Sequence, residues 1–171
     1  AYRKIRNTAR FILGNLGNGE GFSPDTDMVA LDKLSDFDKW ALSRLDAVIE
    51  KVKASYEAFD FYLAYHAIHS FCVVDMSNFY LDIVKDTLYC SAEKAEERRA
   101  VQTTMYIILD SLVRLVAPIL TFTSDEIWKY MPHKSTDDLR GVPFNQMPEK
   151  TGVVISAEFE AKWNKIHAVR D

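Results

Sequence analysis

The sequence predicts an all-α fold, an antiparallel helical bundle with a smaller, irregular C-terminal part. Three observations predict it. Apolar residues recur at helical spacing in segment after segment, with stripes such as Ile5, Ala9, Ile12, Leu13 and Leu16 at i, i+4, i+7, i+8 and i+11. The longest periodic run, residues 61–89, contains neither Gly nor Pro. Two capping-box patterns, Ser35-x-x-Asp38 and Thr123-x-x-Glu126, stand where apolar stripes begin. With 171 residues, 48% apolar and 27% charged, the chain suffices for one domain that buries roughly 70% of its unfolded surface. There is no internal repeat and no low-complexity segment.

Taken in order, the first helix runs from Tyr2 to Leu16 with Gly17 placed as its C-cap. A breaker-rich loop follows, Gly17 to Asp25. The second helix starts at the Ser35 box, carries Ala41, Leu45, Val48, Ile49 and Val52, and ends near Tyr56. The third stretch, 61–89, bears Ala64, Ile68, Phe71, Phe79 and Ile83, and its phase slips near Asp75 to Asn78. A charged opening, Glu93 to Arg99, leads into a fourth helix through Ile107, Leu112, Leu115 and Val116. Pro118 ends it, since proline lacks the donor and clashes with the preceding turn. The Thr123 box then starts a short helix with Ile127, Trp128 and Met131, its first turn enriched in acid by Asp125 and Glu126. Pro132 to Lys150 reads as polar loop, Val153 to Ile155 as a short extended piece, and Ala157 to Val169 as a last helix. On this reading 1–131 form the bundle and 132–171 an extension of the same domain. The chain opens inside a helical pattern and stops at Asp171 without a cap, as expected of a domain from a longer protein.

Composition narrows the function. A net charge of −4 excludes a generally basic nucleic-acid coat protein, so contact with a polyanion must come from a local patch. The two cysteines, Cys72 and Cys90, sit in apolar helical contexts without C-x-x-C spacing. They read as buried free thiols of a reducing, cytoplasmic compartment rather than a disulfide or zinc site. No signal peptide is present, and no apolar run reaches the roughly 18 residues of a membrane span.

Catalytic motifs are scarce. His66 and His69, at i, i+3, lack a third metal ligand at motif spacing and read as surface histidines, although a stand-alone metalloenzyme built on them is one alternative. Lys33-Leu34-Ser35 reads as helix entry. There is no glycine-rich phosphate loop, H-E-x-x-H or G-x-S-x-G. Of the aromatics Phe59, Phe61, Tyr62, Tyr65, Phe79, Tyr80, Trp128 and Tyr130, most at helical spacing are expected in the core, with a few exposed ones free to stack on bases; Lys85, Arg98, Arg99 and Lys129 are expected as solvated surface charges.

The first helix differs. Arg3, Arg6, Asn7 and Arg10, with Gly14, fall on a second face, and no acid appears before Glu20. Guanidiniums there can grip phosphate oxygens bidentately, Asn7 or Asn15 can read base edges, and Tyr2 or Phe11 can offer a stacking surface. RNA is therefore the expected ligand. The competing reading is a basic helix docked on an acidic partner protein or a neighbouring domain.

Five segments carry a family resemblance: Tyr-Arg-Lys-Ile-Arg-Asn-Thr-Ala-Arg-Phe-Ile-Leu-Gly-Asn-Leu (2–16), Asp75 to Tyr89, Arg98 to Gln102, Leu115 to Trp128, and Trp163 to Asp171. In this order they resemble the anticodon-binding domain of isoleucyl-tRNA synthetases of bacterial type, class I enzymes. Valyl-, leucyl- and methionyl-tRNA synthetases have related helical domains. The resemblance implies a module that holds the anticodon arm of isoleucine tRNA, with the first helix facing that arm. It carries this role onto Tyr2, Arg3, Arg6, Asn7 and Arg10, and onto Phe11 and Asn15 at the edge of the same face. It also implies a monomeric ligase using ATP and Mg2+, with catalytic residues upstream and zinc-binding cysteines downstream, and no cofactor or metal within this chain. Gly141 to Pro148 matches the family only loosely.

Overall fold

Ser35 begins the longest helix among the described residues, as its sequence requires. Its side chain accepts the Asp38 amide at 3.1 Å, and α2 runs Asp36–Glu57. The computed structural model describes residues 2–17, 21–90 and 96–170. Around α2 stand α1 (Tyr2–Asn15), α3 (Phe61–Ser70), a π-helical segment (Phe71–Tyr80), α4 (Leu81–Cys90), α5 (Glu96–Val116), α6 (Thr121–Tyr130) and α7 (Ala157–Arg170). No strand occurs among the described residues, and the architecture is an all-α bundle.

The core is built around α2 and α5, whose buried residues include Trp40, Leu42, Leu45, Ile49, Met105, Ile108, Leu112 and Leu115. Each such side chain contributes about 1.5–3 kcal/mol on burial. Asp60 caps α3 by accepting the Leu63 amide, and the turn before it holds Phe59 at φ +57°, a left-handed conformation unusual for an aromatic residue. The phase slip expected near Asp75 to Asn78 takes a definite form. One π-helical segment, with its wider turn, lets Phe71, Cys72, Asp75, Met76, Phe79 and Tyr80 all face inward.

That segment also receives the C-terminal helix. Trp163 and His167 of α7 pack with Phe37, Trp40 and Phe79 in one aromatic cluster, and the Trp40 indole donates to Asn164 Oδ1 at 3.0 Å. Asp75 ties the seam: His167 Nε2 lies 2.7 Å from its carboxylate, and Arg44 donates to it at 3.3 and 3.4 Å.

Several expectations need correction. The Thr123 box does not start α6. The helix opens at Thr121, Leu120 provides no side-chain cap, and the hydroxyls point backwards, Thr121 Oγ1 donating to the Ala117 carbonyl and Ser124 Oγ to that of Thr121. Asp125 and Glu126 consequently sit in the second turn, beyond the strongest reach of the helix dipole. Val153 to Ile155 alternates inward and outward but has no partner strand; the Thr151 and Gly152 amides donate to Asp46 instead. The polar loop 132–150 contains a 3-10 turn (Val142–Phe144) with Val142 buried, and Asn145 brackets it, accepting the Asp138 amide and donating to two carbonyls.

Arg99 is not a solvated charge either. It lies beside the Phe22 ring, 3.7 Å from Asp27 and 3.1 Å from Gln102. Phe59, Phe61, Tyr62 and Tyr130 are exposed, whereas Tyr65, Phe79, Tyr80 and Trp128 pack inward. Cys72 is a buried free thiol, its pKa pushed up to about 12 by burial. The Cys90 side chain and residues 91–95 of the charged opening lie outside the described set.

Candidate nucleic-acid interface

Helix α1 is fixed from beneath. Ile5, Ala9, Ile12 and Leu16 are buried, and so is Thr8, whose hydroxyl lies 3.2 Å from Ser77 Oγ and 3.5 Å from the Cys72 carbonyl. At its end, Gln102 Nε2 donates to the Asn15 carbonyl at 2.9 Å, satisfying one of the free carbonyls of the last turn. Gly17 follows at φ +79°, the left-handed conformation that terminates helices. The apolar stripe read from sequence therefore anchors the helix and leaves its other face outward.

That outward face carries Tyr2, Arg3, Lys4, Asn7 and Arg10, all exposed. Among the described residues, Arg3, Lys4 and Arg10 have no ion-pair partner. Arg6 is half-buried and stands 3.8 Å from Glu126 of α6, a partner remote in sequence. Such an exposed pair contributes roughly 0–1 kcal/mol, too little to account for the cationic row as a stabilising device. Phe11 is half-buried and packs against the core, while Asn15 Nδ2 donates to the Phe11 carbonyl at 2.9 Å. Tyr2, Arg3, Asn7 and Arg10 thus share one open face, with Arg6 at its border and Phe11 and Asn15 turned towards the protein.

Beside this face, α1 and α6 enclose a groove of about 460 Å3. Ala9, Leu13 and Ile127 form its apolar floor, Arg6 and Arg10 one rim, Glu126 and Tyr130 the other. The sequence assigns Glu126 to a helix terminus and does not single out Tyr130 from the other aromatics. The i, i+4, i+7 spacing of Thr123, Ile127 and Tyr130 marks one face of α6, but only the packing of α6 on α1 shows where that face leads.

His66 and His69 stack on Tyr62 and Tyr65 one turn earlier, and no group of three His, Cys, Asp or Glu able to hold a metal occurs among the described residues. No described helix is long and apolar enough to cross a membrane.

Comparison with known proteins decides the family. Residues 38–171 match the family described as "Anticodon-binding domain of tRNA ligase". The chain belongs to this family. Isoleucine–tRNA ligase of Desulforamulus reducens is 51% identical over 170 residues, 99% of this chain and 18% of that protein. The ligases of Thermoanaerobacter pseudethanolicus and Geobacter sulfurreducens are 48% and 46% identical with the same coverage. The chain therefore spans about a fifth of the length of the curated relatives it matches. Helix α1 precedes the residues matched by the family profile.

Proposed function

We propose that this chain is the anticodon-arm-binding module of an isoleucine–tRNA ligase, and that the outward face of α1 is its RNA contact. The observation carrying this reading is the row of exposed cations on α1 without protein partners, in a chain whose net charge is −4. Burying a helix's apolar stripe needs no such row; a phosphate backbone does. Arg3, Arg6 and Arg10 grip phosphates, Asn7 hydrogen-bonds, and Tyr2 stacks. Phe11 and Asn15 support the edge of that surface. The identity of about 50% to isoleucine–tRNA ligases supports the isoleucine acceptor as the cognate tRNA.

The parent ligase would attach isoleucine to that tRNA with ATP and Mg2+ in a catalytic domain elsewhere in its length, acting as a cytoplasmic monomer. Zinc, where the parent uses it, would be held outside the described residues of this chain. The module contributes binding energy remote from the reacting atoms, which orients the acceptor end and so raises the transfer rate.

Fluorescence anisotropy of the chain against isoleucine-accepting tRNA and an anticodon-swapped version, at two salt concentrations, tests this reading. Salt-sensitive binding that weakens on the swap is the expected result. Absence of binding to either tRNA at low salt would overturn it.

A further inference from the structure

We propose that the groove between α1 and α6 holds one unstacked RNA base, with Tyr130 as its stacking platform and Glu126 as the acceptor for an amino-bearing base edge. The inference rests on the RNA-binding reading of α1 and extends it to a second helix.

The groove satisfies the requirements of such a pocket one by one. At about 460 Å3 it lies within the roughly 300–1,000 Å3 of small-ligand sites. Its floor of Ala9, Leu13 and Ile127 is apolar, suited to the face of a planar ring. Tyr130 is 59% exposed at the end of α6, which is wasteful for a core aromatic and suited to stacking. Arg10 on the facing rim has no ion-pair partner among the described residues, so it is available to the phosphate attached to the bound base.

Glu126 supplies the selectivity. An ionised carboxylate only accepts hydrogen bonds, so it favours bases presenting an exocyclic amine, namely adenine, cytosine or guanine, over uracil with its flanking carbonyls. Its ion pair with Arg6 at 3.8 Å sets that carboxylate on the groove rim. Cations alone would make α1 an indiscriminate phosphate grip; the acidic group beside them adds, next to Asn7, a second element able to tell bases apart.

The test compares wild type, Tyr130→Ala, Tyr130→Phe and Glu126→Gln by anisotropy, using isoleucine-accepting tRNA and short single-stranded oligo(A), oligo(C) and oligo(U) as probes. Both positions are exposed, and thermal melting by circular dichroism verifies that the variants fold. Tyr130→Ala should weaken tRNA binding about 5- to 150-fold, the range of one lost base–aromatic stack, without changing the salt slope. Tyr130→Phe should restore it. Oligo(A) and oligo(C) should outbind oligo(U), and Glu126→Gln should shrink that difference. Wild-type affinity of Tyr130→Ala for tRNA, with the Arg10→Ala variant still weakened, would overturn the base pocket while leaving the α1 reading intact. The groove would then belong to a protein contact. Failure of the wild-type chain to bind any probe at low salt would overturn both.

Discussion

The outer face of α1 and the seam between α5 and the 132–150 loop both carry arginines, and treat them in opposite ways. Arg114 of α5 is enclosed. Its guanidinium donates to Asp110 at 3.2 Å, to Asp137 at 3.1 Å and to the Gln146 carbonyl at 3.1 Å, 5.4 Å from the centre of the Trp128 ring. Arg10 on α1 is exposed and has no ion-pair partner among the described residues. A guanidinium that meets its own chain's carboxylates is part of the fold. One held outward on a rigid helix is open to another molecule, and the contrast separates arginines engaged by the fold from those without an ion-pair partner more sharply than composition does.

Removing Arg114 should have the largest effect. Arg114→Ala leaves Asp110 and Asp137 facing each other without their shared cation, which should cost towards the lower end of the about 3–5 kcal/mol typical of a broken buried pair. Urea unfolding would measure it as a lower midpoint with unchanged slope. A loss within about 0.5 kcal/mol, the range of ordinary surface substitutions, would mean the seam is not held by this arginine.

A smaller effect concerns pH at the same seam. Burial raises the Asp110 carboxyl above its usual value of 3.8; Arg114 lowers it in part and Asp137 raises it again. A raised folded-state value means that Asp110 contributes stability below its unfolded pKa, and that this contribution is lost as pH rises through the folded value. Asp110→Asn removes that loss while keeping an acceptor for Arg114. Unfolding at pH 4 and pH 7 should therefore show the variant gaining stability at pH 7 relative to pH 4, compared with wild type. An unchanged difference between the two pH values would remove Asp110 from the pH response.

The same contrast explains what was legible in the sequence. Ser35 caps through a bond to an amide three positions on, Gly17 through its left-handed backbone and Pro118 through its missing donor, all local effects, so their roles at helix ends could be read directly. The apolar stripe of α1 was legible because burial follows the helical period. The Thr123 pattern misled because hydroxyls at a helix start can bond forwards as caps or backwards to carbonyls, and those of Thr121 and Ser124 on either side of it bond backwards. The π-helical register of 71–80 showed only as a slipped phase. The Arg6–Glu126 pair, the α1–α6 groove and the enclosure of Arg99 and Arg114 join residues far apart in the chain, and no local pattern encodes them. Of the proposed interface, the α1 row was visible. The α6 half was not.

The most direct measurement of the central claim is the salt dependence of tRNA affinity for wild type, Arg10→Ala and Arg114→Ala, with stability followed in parallel. Arg10→Ala should keep its stability within about 0.5 kcal/mol while the slope of log affinity against log salt becomes shallower by about 0.7–0.9, the loss of one phosphate contact. Arg114→Ala should lose stability and, where still folded, retain the wild-type slope. An unchanged slope in Arg10→Ala, or an equal loss of slope in both variants, would contradict the assignment of α1 as the RNA-facing surface.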